Sequence, residues 1–126
     1  MRVFKQVVVA ASLLLPSVVF AGEMKITVLY NQPKSAEEFD KYYFSKHMPM
    51  VYAVKEIKKV EVARPAPSPT GAPSPYHIVT ELWFDSPDVL KAVTSTSEWK
   101  AIADDVPKFT EPGSVTIIVS EVEPKK

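Results

Sequence analysis

The run Tyr76–Phe84 (YHIVTELWF) constrains the fold of this chain more than any other segment. Its β-branched and aromatic residues predict a strand in which Tyr76, Ile78, Thr80, Leu82 and Phe84 face one way, and His77, Val79, Glu81 and Trp83 the other. Apolar groups on both faces predict that both faces are covered. One layer of helices from the same chain can cover one face. The other needs a partner.

The flanking segments supply the first layer. Lys25–Tyr30 (KITVLY), bounded by Asn31-Gln32-Pro33, predicts a first strand. Ser35-Ala36-Glu37-Glu38 has the form of a capping box. It opens a helix with Phe39, Tyr43 and His47 on one face and Tyr42 beside them. Pro49 disfavours helix at Met48, so this helix is expected to stop or kink there. Ile57–Ala63 predicts a second strand. From 64 to 75 the chain reads RPAPSPTGAPSP, whose missing amides exclude a regular element. This extended connector is either a lid or a surface insertion, and the low closure entropy of long loops supports the insertion.

After Tyr76–Phe84, Ser86 with Pro87 marks a helix start, and Val89, Leu90 and Val93 form its apolar stripe. Thr94–Ser97 interrupts the pattern, and Ser97-Glu98-Trp99 has the form of a second cap. Trp99, Ile102, Ala103 and Val106 carry the stripe on to Pro107. Glu111-Pro112-Gly113 is a turn, and Ser114–Val122 predicts a fourth strand. The order is β-α-β-β-α-β, an α+β ferredoxin-like domain. The two-sided apolar character of Tyr76–Phe84 and Val115–Val119 then predicts a homodimer built by sheet-to-sheet packing.

The start of the chain is of another kind. Arg2 and Lys5 precede an apolar run, Val7–Phe20, with Val19 and Ala21 spaced as in a cleavage site. The run is shorter than the ~20 residues of a spanning helix. Residues 1–21 are therefore read as a signal peptide rather than a stable membrane anchor, and 22–126 as one secreted or periplasmic domain. Removal of Arg2 and Lys5 leaves 13 basic residues against 15 acidic ones, a net charge of −2 with histidine neutral. Such a surface gives no electrostatic footprint for nucleic acid; Lys55, Lys58 and Lys59 are diluted by Glu56 and Glu61. The absence of cysteine excludes disulfides, a thiolate nucleophile and a zinc-thiolate centre.

Four segments in order, KITVLYNQP, EEFDKYYFSKHMP, ELWFDSP and ADDVPKF, resemble the EthD family of the dimeric α/β-barrel superfamily, along Lys25 to about Val122. The resemblance implies two ferredoxin-like subunits whose sheets form a barrel, with a pocket between each sheet and its helices. It also implies a link to oxidative degradation pathways, in a superfamily that includes monooxygenases, polyketide cyclases, lactone isomerases and haem proteins. The signal peptide and the insertion at 64–75 depart from the family pattern, and export sets a cytoplasmic redox partner in doubt.

His47 is the first candidate for chemistry, because imidazole changes charge near neutral pH. At the expected helix C-terminus it would also serve as a cap. Asp105 can orient that imidazole and raise its pKa, or stand on a solvated face with Asp104. Both residues are expected near helix C-termini. The first and third strands are expected to be parallel neighbours, which puts those termini at one end of the sheet. Tyr42, Tyr43, Trp83 and Phe109 are the candidates for lining an apolar cavity, with core packing the plainer role for Phe109. His77 and Glu81, ~13 Å apart along a strand, cannot chelate one ion, and haem ligation has no motif behind it. No G-x-G-x-x-G, P-loop or G-x-S-x-G occurs, so no cofactor or metal is expected. Together these features imply a protein that acts on a small hydrophobic or aromatic molecule by cofactor-independent acid/base or oxidoreductase chemistry. The alternative is a non-catalytic binding or accessory protein.

Overall fold

The structure, a computed structural model, describes residues 22–125. The segment read as a signal peptide lies outside them. Strands β1 (Met24–Asn31), β2 (Lys59–Ala63), β3 (Tyr76–Phe84) and β4 (Val115–Glu121) form one sheet in the order β2-β3-β1-β4. The helical elements are α1 (Ala36–Tyr42), a π-helical turn (Tyr43–His47), α2 (Met48–Tyr52), α3 (Pro87–Thr94), α4 (Ser97–Asp105) and a 3-10 turn (Val106–Lys108). This is the ferredoxin-like α+β arrangement. No described helix is long and apolar enough to cross a membrane.

Local chemistry accounts for most of these boundaries. The Ser35 hydroxyl accepts from the Glu38 amide at 3.2 Å, and the Ser86 hydroxyl from Val89 at 3.2 Å, with Pro87 filling a position that needs no donor. The second cap is Thr96 rather than Ser97: its Oγ1 accepts from the Trp99 amide at 3.1 Å. Each such cap is worth about 1 kcal/mol. The turn before β4 places Gly113 at φ +79, where a side chain would be strained. Strand β2 begins at Lys59, two residues later than expected, while Ile57 turns into the core.

Ile26 and Tyr30 of β1 and Ile78, Leu82 and Phe84 of β3 pack beneath Phe39, Tyr43, Met48, Val51, Val93 and Ile102. Tyr43 is fully buried, and its hydroxyl bonds to that of Thr80 on the sheet. The opposite face carries Thr27, Glu81, Trp83 and a Lys25–Glu81 ion pair at 2.9 Å, all half-buried, with the Lys25 and Lys59 side chains over the Trp83 ring. At the sheet edge, Ile117, Ile118 and Val119 are 62%, 45% and 54% exposed.

Two expectations are corrected. β1 and β3 are antiparallel, not parallel: β3 lies inside the β1–β2 crossover and must run against both. The helices that follow them therefore end at opposite ends of the sheet. The first helix also does not stop at Pro49. The π turn passes the proline, with the Met48 amide reaching Tyr43 O five residues back, and the chain continues helically to Tyr52. The wider turn accommodates a ring that would collide with the carbonyl four residues earlier in an α-helix. His47 accordingly lies within a helical rod, not at its C-terminus, and no helix-end dipole acts on it.

Candidate functional site

A cleft of about 480 Å³ opens where the β1–α1 loop and α1 meet the segment that joins α4 to β4. Tyr30, Phe39, Tyr42 and Phe109 form its aromatic side; Asn31, Gln32, Lys34, Glu38, Lys108 and Glu111 stand around them. The rings hold one another in place. Phe109 packs on Phe39 at 5.3 Å between centroids and stacks on Tyr42 at 5.5 Å. Its other contact is the His47 imidazole, at 4.7 Å. Residues 64–75 do not line the cleft, but Ser74 O and Pro75 O accept from Gln32 at its rim at 3.3 and 3.1 Å.

Behind this aromatic wall His47 Nδ1 lies 2.9 Å from Asp105 Oδ2. The contact forms because Asp105 ends α4 opposite the middle of the antiparallel helical rod. Asp105 Oδ1 accepts from the Tyr42 hydroxyl at 2.7 Å and has Lys108 Nζ at 3.7 Å. His47 is 3% and Asp105 6% exposed. Burial works against the Asp105 carboxylate, but the hydrogen bonds from Tyr42 and His47, with the charges of His47 and Lys108, outweigh it and hold the group below the ordinary carboxylate range. Burial lowers the His47 pKa below the ordinary histidine value, and the Asp105 hydrogen bond and charge only partly offset this. The carboxylate thus acts in the expected direction, and desolvation wins. At neutral pH the pair is a carboxylate and a neutral imidazole. An ionised Asp105 can only accept, so the imidazole proton belongs on Nδ1 and the lone pair on Nε2.

The other candidates divide. Tyr42 and Phe109 stand on the cleft and touch the pair. Tyr43 stacks on His47 at 5.7 Å but is sealed in the core, and burial, with a smaller contribution from Tyr52, pushes its hydroxyl up to about 12 despite the Thr80 bond. Trp83 is on the opposite sheet face beneath Lys59 (4.6 Å) and Lys25 (5.4 Å), away from the cleft. His77 leaves the Val79–Glu81–Trp83 face: the β1–β3 register shifts at Tyr30/Asn31, and His77 turns to Phe39 and to Asp40 Oδ1 at 2.8 Å. Arg64 binds the same carboxylate at 2.9 Å. Sequence reasoning missed Lys108 as a neighbour of Asp105, although their spacing of three invites the contact. Asp104 points outward to Lys100. Among the described residues no three His, Asp or Glu side chains are grouped to hold a metal.

The fold and this cleft define a ferredoxin-like domain with an aromatic-walled site at one end of its helical layer. The chain belongs to the EthD family, whose domain model matches residues 31–113. It is 28% identical over 99 residues to an uncharacterized 11.0 kDa protein from the thcB–thcC intergenic region of Rhodococcus erythropolis, covering 79% of this chain and 94% of that one. An EthD family protein of Bacillus halodurans has the same fold at TM-score 0.73 and 29% identity, covering 80% of this chain and 99% of its own. A Bacteroides fragilis protein described as dimeric and ferredoxin-like matches at TM-score 0.57 and 21% identity, over 82% and 99% of the two chains.

Proposed function

We propose that the protein binds a small aromatic or hydrophobic molecule in the cleft beside Tyr42 and Phe109 and performs acid/base chemistry on it. His47 is the proton acceptor and donor, and Asp105 orients its ring. The observation that carries this reading is the unbroken chain Tyr42–Asp105–His47, from cleft wall to buried imidazole. A carboxylate on Nδ1 sets the tautomer a base requires, and burial keeps the ring neutral at working pH. Proton abstraction beside a carbonyl, as in polyketide-like ketones, needs no more than this. The experiment is α-proton exchange of 6-hydroxy-2-tetralone in D2O, followed by NMR. Wild type is expected to accelerate exchange, with a loss of about 10²-fold or more in His47→Gln. No acceleration above buffer for this or other enolisable aryl ketones would count against the enzyme.

A second reading, a non-catalytic binder, draws on one observation: neither His47 nor Asp105 itself lines the cleft. It predicts a small molecule that co-purifies with the protein and stays bound in His47→Gln.

Assembly and export complete the proposal. The exposed Ile117, Ile118 and Val119 and the uncovered face around Trp83 are what a second copy would bury. The dimeric Bacteroides fragilis neighbour is in keeping with this. Light scattering should give twice the mass of the mature chain. Signal-peptide cleavage after Ala21 would make Gly22 the first residue of the exported protein, read by N-terminal sequencing.

A further inference from the structure

We infer that the cleft selects an aromatic molecule with a neutral hydroxyl group, whose hydrogen is accepted by Tyr42 Oη. This rests on the cleft being the binding site. A tyrosine hydroxyl has one proton and two lone pairs. Asp105 is a carboxylate that accepts from Tyr42 at 2.7 Å and from His47 at 2.9 Å, with Lys108 Nζ at 3.7 Å. It has no proton to give, so the bond consumes the only proton Tyr42 owns. The same bond raises the Tyr42 pKa and keeps that proton in place. Toward the cleft the oxygen can therefore only accept.

A carbonyl, carboxylate or ether oxygen placed against Tyr42 Oη would set lone pair against lone pair, whereas the hydroxyl of a phenol or an enol supplies the missing hydrogen, also on a molecule that carries its ketone elsewhere in the cleft. The rim lysines do not reverse the preference. Lys108 is drawn to Asp105, and Lys34 pairs with Glu111 at 3.5 Å. The aromatic part of the ligand meets Phe39 and Phe109, and about 480 Å³ is room for a fused bicyclic ring.

Equilibrium dialysis with 1-naphthol and 1-methoxynaphthalene tests the inference on the intact mature protein. The methyl ether is the more apolar of the two, so burial alone favours it, and a preference for naphthol must come from a polar contact. Wild type is expected to bind 1-naphthol roughly ten-fold more tightly. Tyr42→Phe, which keeps the ring stacked on Phe109, should abolish the naphthol preference without weakening the binding of 1-methoxynaphthalene. Equal binding by wild type, or a naphthol preference that survives in Tyr42→Phe, overturns the hydroxyl selection and leaves the cleft as a binding site. Binding of neither ligand to wild type overturns both.

Discussion

The molecule contains two histidine–carboxylate contacts of nearly equal length, His47–Asp105 at 2.9 Å and His77–Asp40 at 2.8 Å. Their surroundings differ. The first joins the middle of a helical rod to the end of α4, buried on both sides, with a phenol as the carboxylate's second donor. The second sits at the β1–β3 register shift, with Asp40 partly open to solvent and a guanidinium as second donor. Hydrogen bonds from His77 and Arg64, with the charge on Arg64, overcome burial and hold Asp40 below the ordinary carboxylate range. Arg64 begins the Pro-rich connector and reaches across to α1, so this contact is a tie between segments. Length does not separate a site from a clip. Burial, the charge of the third partner and a neighbouring cleft do.

Removing each carboxylate gives the largest contrast. Asp105→Ala strands a buried imidazole N–H, a loss of about 1–3 kcal/mol. Asp40→Ala removes a partly solvated pair, a loss of about 0–1 kcal/mol. Urea unfolding at pH 7 measures both, and equal losses would break the comparison. The effect of pH comes next. Because the folded pKa of His47 lies below its unfolded value, the unfolded chain binds the proton more readily, and stability falls as pH drops through about 6.5 toward the folded value. Unfolding midpoints should decline from pH 7 to pH 5 in wild type and decline less in His47→Gln. Asp105 and Asp40 are both depressed, so their contributions persist above the unfolded carboxylate value of about 4 and are lost as pH falls through the folded values. The smallest effect is that of Arg64→Ala. It should raise hydrogen exchange in residues 64–75, change stability by less than about 1 kcal/mol, and leave the His47 titration where it was.

What could be read from the sequence was local or periodic. The Ser35 and Ser86 caps depend on a few adjacent residues, and β3 is a clean alternation. The same alternation puts Trp83 on the face opposite Ile78 and Thr80, so the expectation that Trp83 lines one cavity with Tyr43 ran against a signal the sequence carried, and the structure overturns it. The passage of the first helix through Pro49 was not legible. The restriction on Met48 is a local preference, and the burial of Met48 and Val51 on the continuing rod overrides it. The His77 contact depends on a register shift that only strand pairing creates. His47 and Asp105 met although the strand direction assumed for them was reversed, because the rod extends past His47 and brings its middle to the end of α4.

In the proposed site His47 and Asp105 are coupled: burial sets the imidazole below its ordinary pKa, and the carboxylate partly holds it up. NMR titration of the His47 ring in wild type and in Asp105→Asn reads this coupling. The predicted result is a wild-type His47 pKa below about 6.5 that falls further in Asp105→Asn. A His47 pKa at or above the ordinary value that does not respond to Asp105→Asn would contradict it.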